Sequence, residues 1–406
     1  VKRMLLVSFL MSVGATFVTP LFPLYSETYE MNSLEITILF AIYATFLLPS
    51  LLVIGVNSTR WGLKRIVRIS IWLSILSALI FLVSSNDWML YLARLLEGIA
   101  YGAFTGSAAA YLILQTSSER AQKAIKLSGV AILSGFGFGP GIAGLIIEYS
   151  NLQPLRFPYG ILLALLIISL ILLETLPKDV VTSEERKSNT KVSLGLPRKI
   201  RSPFVSMAGL PIFTVFTIQG IVFSLIPTFV KSVIQTTNLA VSGMIIFVLL
   251  IGAVLAQFIP WLSQPVKRIR IGILLLLTGA WIIVASGIAS NLPLLWIGII
   301  LQAIGGGWTF QIALTFAGQL PNPVERPRVI SVFYLFAYSG FIFPVVGVGL
   351  LTLFLDLHFS LIILNIFVTL IAIYVLKYSE VFSRHYSHLG GSTKPMKNQK
   401  PTIVNR

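Results

Sequence analysis

Four residues of one apolar run carry the most conspicuous chemistry. Arg94, Glu97, Tyr101 and Thr105 follow one another at steps of three, four and four in DWMLYLARLLEGIAYGAFTGS. At 100° per residue those steps place all four on one helix face. Counted from Trp88, a rise of about 1.5 Å per residue sets Arg94 about 9 Å and Glu97 about 13 Å into the run. A charge that deep in a bilayer costs at least about 2.5 to 3.5 kcal/mol if it faces lipid, so both groups must face an enclosed or wetted interior. Spaced i and i+3, they can pair. One reading is a structural ion pair that holds helices in register. The other is that Glu97 takes up and releases a proton, with burial and Arg94 acting on it in opposite directions. Hydroxyl and amide stripes accompany the pair: Ser8, Ser12, Thr16 and Thr19 lie on one face, Trp308, Gln311, Thr315 and Gln319 on another, and Thr214, Thr217 and Gln219 in a third run. Such stripes serve either helix packing or a shared cavity. The cavity candidates are Ser12, Thr16, Tyr101, Thr105, Thr217, Gln219, Trp308, Gln311 and Thr315.

The elements that must position these groups follow from composition. Of 406 residues, 56% are hydrophobic and 11% charged, against roughly 25% charged in soluble globular chains. There is too little polar material to cover separate cores in water, so lipid must do the covering. The chain has no cysteine, which excludes disulfides, thiolate metal sites and cysteine nucleophiles. His385 and His388 form a lone HxxH in the polar tail, short of the three or four convergent ligands a metal needs. No metal site and no cofactor is expected. A net charge of +16 does not point to nucleic acid, because the basic residues fall between apolar runs. The run after Lys2 and Arg3 ends in VTPLFPLY rather than a small-residue cleavage site, so it reads as a first span.

About 20 apolar residues cross a hydrocarbon core in a helix. Such runs lie near 4–25, 34–56, 66–84, 89–114, 125–148, 157–176, 204–230, 239–262, 271–289, 293–317, 329–355 and 358–377. Twelve spans are therefore expected. Lys and Arg alternate between the loops: Lys2 and Arg3; Arg60, Lys64, Arg65 and Arg68; Arg120, Lys123 and Lys126; 178–201; Lys267, Arg268 and Arg270; Arg326 and Arg328; and the C-terminal tail share one side, with Arg156 and Lys231 on the other. Basic loops stay in the cytoplasm, which predicts a multi-pass cell-membrane protein with both termini cytoplasmic. The expected organisation is an N-terminal six-helix bundle at 1–176, a cytoplasmic linker at 177–203, a C-terminal six-helix bundle at 204–377 and a disordered tail at 378–406.

The halves echo each other. QTSSERAQKAIKLSG from Gln115 parallels QLPNPVERPRVISVF from Gln319, pairing Glu119 and Arg120 with Glu325 and Arg326. A similar offset sets Gly98 opposite Gly305 and Tyr101 opposite Trp308. Repeated halves with a solute path between them are a recurrent transporter plan. An enzyme would need a His with Asp near a membrane face, HExxH or paired intramembrane acids, and none is present.

Four patterns resemble the major facilitator superfamily across the spanning region, in its twelve-span drug and proton antiporter branch. VTPLFPLY (18–25) looks like the end of that family's first helix. GVNSTRWGLKR (55–65) is similar to its signature loop, with Gly55, Arg60, Gly62 and Lys64 matching and Thr59 where an Asp is usual. RLLEG (94–98) resembles its fourth-span pattern, with Glu97 where Gln is usual. SGFGFGPGIAG (134–144) resembles its fifth-span antiporter motif, with Gly135, Gly139, Pro140 and Gly144 matching and Ala143 replacing a Gly. The resemblance implies an all-α fold of two pseudo-symmetric six-helix bundles and a monomeric exporter of a lipophilic or weakly polar solute. It also implies alternating access, with the proton gradient as energy source and Arg94 and Glu97 as the coupling pair. An uptake permease of the same fold is the rival reading, and a polytopic enzyme or receptor the remote one.

Overall fold

In the computed structural model, residues 1–116, 118–150, 152–177, 195–236, 238–259, 264–322 and 325–385 are described. Among them the chain is helical throughout. We number the long helices α1 (Lys2–Thr28), α2 (Ser33–Ile54), α3 (Leu63–Val83), α4 (Asp87–Leu114), α5 (Ser118–Tyr149), α6 (Phe157–Glu174), α7 (Arg198–Ser224), α8 (Leu239–Gln257), α9 (Pro265–Ile288), α10 (Leu292–Gln319), α11 (Arg326–Leu351) and α12 (Leu357–His385). Eleven helices are long and apolar enough to cross a membrane, which departs from the expected twelve. The exception is α4, which is 28 residues long but carries Asp87, Arg94 and Glu97. Its polar groups lower its hydropathy, and they do so because they point inward: Arg94 and Glu97 are buried. Lipid would be faced by other residues, such as Trp72, Leu76 and Leu79 of α3 or Ile366, Phe367 and Leu370 of α12, all exposed.

Most helix limits fall close to the apolar runs. Two differ in kind. α12 continues to His385, past the expected end at 377. α7 begins at Arg198, inside the expected linker, whose residues 178–194 lie outside the described set, as does the tail from 386 onward, including His388.

The repeat is written in the helix caps. Asn32 accepts from the Glu35 N–H to start α2, and Glu35 answers the Asn32 N–H, a reciprocal box. Asn238 starts α8, the corresponding helix of the second half, by accepting from Ala240. Asn86 starts α4 by accepting from Met89 at 3.0 Å, and Asn291 starts α10 by accepting from Leu294 at 2.9 Å. Each cap satisfies an N–H that no helical carbonyl can reach. Packing repeats as well: α3 on α4, α2 on α4, α1 on α5 and α3 on α6 correspond to α9 on α10, α8 on α10, α7 on α11 and α9 on α12. The pairing of Gly98 with Gly305 is corrected in detail. Gly98 abuts the Tyr43 carbonyl of α2, whereas Gly305 abuts Gly272 of α9; with Asn86 set on Asn291, it is Gly102 that falls on Gly307, and these abut α2 at Leu47 and α8 at Ala253.

Two prolines show why α1 and α7 carry hydroxyls. Pro140 inside α5 has no N–H, which frees the Phe136 carbonyl one turn earlier. Thr16 Oγ1 of α1 donates to that carbonyl at 2.8 Å. Pro344 inside α11 likewise frees the Gly340 carbonyl, and Thr217 Oγ1 of α7 donates to it at 3.3 Å. A helix interrupted by proline within a membrane bundle needs such a donor from its neighbours. Thr16→Val is expected to lower the thermal unfolding midpoint of the purified protein, a cost of about 1 kcal/mol. In a Pro140→Ala background, where the substituted alanine supplies its own N–H, the same change should cost little. Equal losses in both backgrounds would refute the role given to the freed carbonyl.

Candidate functional site

The halves meet along α2 against α11 and α5 against α8, two contacts related by the repeat. Glycines set the second. Gly135 and Gly139 abut the backbone of α1 at Phe9 and Val13, while Gly137, Gly141 and Gly144 turn to α8, where the Gly144 and Gly243 backbones touch. The antiporter-like motif thus serves two neighbours at once, with Pro140 between them. Toward the face away from the termini the halves are sealed. Lys231 pairs with Glu27, Glu148 Oε2 accepts from the Leu239 N–H at the start of α8 at 2.8 Å, and Gly349 sits against Thr37. Toward the other face a Cβ on Gly129 of α5 would meet nothing within 4 Å, and Leu255 of α8 and Phe258 just after it are exposed.

Beneath the seal lies a chamber of about 120 Å³ lined from both halves. α1 contributes Ala15, Thr16 and Thr19; α2 contributes Phe40 and Tyr43; α4 contributes Arg94; α5 contributes Leu133 and Phe136. The second half adds Phe216, Gln219 and Phe223 from α7, Leu250 from α8, and Tyr338 and Phe341 from α11. Its roof is aromatic, with Phe40 edge-on to Phe341 at 5.5 Å and 6.3 Å from Phe223.

Arg94 and Glu97 sit on the α4 wall. Arg94 Nη1 donates to Glu97 Oε2 at 2.5 Å and to the Ala15 carbonyl at 3.4 Å, and Nε donates to the Leu39 carbonyl at 3.3 Å. The guanidinium lies 4.4 Å from the Tyr43 ring centroid, a cation–π contact. Arg94 faces the chamber, while Glu97, also buried, is absent from its lining. α4 approaches α2 closely enough for this because Gly98 and Gly102 present no side chain to the Tyr43 and Leu47 carbonyls.

The expected cavity residues divide. Thr16 and Gln219 line the chamber. Thr217 is spent on Gly340. Ser12 Oγ donates to the Ser8 carbonyl and lies 2.9 Å from the Tyr101 hydroxyl, and Thr105 Oγ1 donates to the Tyr101 carbonyl, so this part of the α4 stripe packs against α1. Trp308 Nε1 donates to the Ala256 carbonyl at 2.7 Å, with Arg268 over its ring. Thr315 donates to the Gln311 carbonyl, and Gln311 Oε1 is buried without a partner among the described residues. None of the seven expected residues other than Thr16 and Gln219 lines the chamber. The aromatic lining went unread because Phe and Tyr are as common on lipid-facing surfaces as inside a bundle, and no period separates the two.

In the loop motif, Gly62 has φ 90°, a left-handed backbone that favours glycine, where it precedes α3. Lys64 is buried and donates to the Leu176 carbonyl at 2.5 Å, and Arg68 forks onto Glu174 at 2.5 and 2.8 Å. These bases fasten α3 to the end of α6 within one half. Gly55 closes a π-helical turn, Leu51–Gly55, and Arg60 is exposed. The side chain of Thr59 lies outside the described set.

Residues 4–343 match the family model of the Major Facilitator Superfamily. The chain belongs to that superfamily. Among curated proteins, this superfamily member is 27% identical over 179 residues to the quinolone resistance protein NorA of Staphylococcus aureus, covering 44% of this chain and 46% of NorA. It is 26% identical over 188 residues to multidrug resistance protein 2 of Bacillus subtilis, 46% of each chain. The alignments span a little under half the length of these relatives. The solved nucleoside transporter NupG superposes with a TM-score of 0.73 at 15% identity, over 93% of this chain and 98% of that one, a likeness of fold. The superfamily member is thus a multi-pass helical membrane protein.

Removing one partner of a buried pair leaves an uncompensated charge. Glu97→Leu is expected to cost about 3–5 kcal/mol of stability, read as a fall in the unfolding midpoint in detergent. The double change Arg94→Leu with Glu97→Leu should cost less than either single change, and a double loss equal to the sum would contradict the pairing.

Proposed function

We propose that this protein exports a small lipophilic or weakly polar solute across the cell membrane by alternating access, driven by inward movement of protons. The observation that carries the reading is the Arg94–Glu97 pair set in the wall of a chamber that both halves share. Two relatives named for quinolone and multidrug resistance favour export as the direction. In this reading α4 is a twelfth span, both termini are cytoplasmic, the protein acts as a monomer, and the chamber opens to the cytoplasm in the conformation described.

The cycle follows from the contacts. Ionised Glu97 holds the guanidinium against Ala15 of α1, Leu39 of α2 and the Tyr43 ring, so helices on both sides of the chamber wall are tied to one charge. A proton on Glu97 removes its charge and with it the ionic hold on the guanidinium, which keeps only its carbonyl and ring contacts. The titratable groups that face Glu97 are Arg94 on α4 itself and, from neighbouring helices, Tyr25 of α1, Tyr43 of α2 and Tyr159 of α6. Solute bound against the ordered pair opposes protonation, and protonation expels solute, which is the exclusion an antiporter needs. The seal of α2 on α11 and α5 on α8 is the element that must part at the far face.

Proteoliposomes with an imposed pH gradient, tested with a fluorescent quinolone and a set of aromatic dyes, should accumulate at least one of them. Glu97→Gln should abolish gradient-driven accumulation and spare exchange. Full accumulation by the variant would remove Glu97 from coupling. Orientation is open to a separate check: with no native cysteine, a single cysteine at exposed Arg60 should label only from the cytoplasm, and one at Gln153 only from outside.

A further inference from the structure

We infer that the chamber selects uncharged aromatic solutes bearing a hydrogen-bond acceptor such as a ketone or amide carbonyl, in preference to lipophilic cations or carboxylates. This rests on the chamber being the solute site, as proposed above, and goes further by naming what it accepts.

Three observations combine. The surface a solute would meet is largely aromatic, with Phe40, Phe216, Phe223 and Phe341 arranged around the roof and Phe216 and Phe341 only 4.5 Å apart between centroids. Flat apolar rings fit such a surface, since offset and edge-on ring pairs add to plain burial. Second, the lining offers donors in Arg94 and the Tyr43 hydroxyl, beside Thr19, Gln219 and Tyr338, which can donate or accept, and Thr16, whose O–H is already given to the Phe136 carbonyl. Arg94 is the one charged residue in the lining among the described residues, and the Tyr43 hydroxyl, on a 7% exposed side chain, is buried with no hydrogen-bond partner in the described structure. A buried hydroxyl without a partner is costly, and a solute acceptor is what would satisfy it.

The third observation decides the charge. Arg94 is already matched by Glu97 and by two backbone carbonyls. The wall is therefore neutral as a unit, and a solute ion entering it loses its hydration without gaining an unpaired counter-charge. A cation fares worst, because the guanidinium stands between it and the carboxylate, which is outside the lining. A carboxylate must compete with Glu97 for one guanidinium. A neutral acceptor does neither, and it reads the donors in the positions that Glu97 fixes.

The same logic predicts a switch in preference when the carboxylate is neutralised. Glu97→Gln keeps the shape of the side chain but leaves Arg94 without a counter-charge, so aromatic carboxylates should gain where neutral ketones do not. The test uses the full chain in lipid nanodiscs and three probes on one ring system: 2-acetonaphthone, 2-naphthoate and a naphthyl trimethylammonium. At pH 8 the unmodified protein should bind the ketone about tenfold more tightly than either ion, and Glu97→Gln should tighten 2-naphthoate about tenfold, each a difference of about 1.4 kcal/mol. Tyr43→Phe, which keeps the ring beneath Arg94, should weaken the ketone and leave the two ions unchanged. Tightest binding by the ammonium probe, equal binding of all three, or no binding of the ketone would each overturn the inference. Those outcomes leave the carrier reading to be judged by gradient-driven flux, which fails only if nothing is carried.

Discussion

A guanidinium and a carboxylate enclosed in a membrane-sized bundle are the constraint on which the rest of this structure depends. Neither tolerates lipid, so α4 must be walled in, with α2 and α3 packed on its sides and α1 close to the pair. That requirement explains the glycines at Gly98 and Gly102, which let α2 come within backbone contact. It also explains why α4 is the long helix that fails a hydropathy measure: the more a span contributes to the interior, the less it resembles the lipid outside.

Backbone polarity is the second expression of the same physics. In a medium without water every freed carbonyl needs a donor inside the bundle. The prolines of α5 and α11 each free one, and a threonine from the first helix of the same half answers it. The two kinks then sit in the helices that form the contacts between halves, α5 against α8 and α11 against α2. A bend that is hydrogen-bonded from within its own half lets that half move as a unit while the surface it shows to the other half stays shaped.

The two faces of the molecule are held by different chemistry. Away from the termini, Glu27 with Lys231 and Glu148 with the first turn of α8 join the halves directly. Near the termini, Lys64 and Arg68 pair with Glu174 of α6 and Arg270 with Glu380 of α12, each within one half.

Periodicity and composition alone sufficed for the helical class, nearly every helix limit and the burial of Arg94 and Glu97, because span length and the cost of buried charge are local properties of a segment. Which hydroxyls face a solute was not legible. Thr16, Thr217, Ser12 and Thr105 share the same stripe signature, yet three of them serve the bundle alone and Thr16 serves both bundle and chamber. The aromatic roof of Phe40, Phe223 and Phe341 had no signature at all. A phenylalanine facing lipid and one facing a chamber are the same residue at the same spacing, and only the docking of one six-helix half on the other decides which is which.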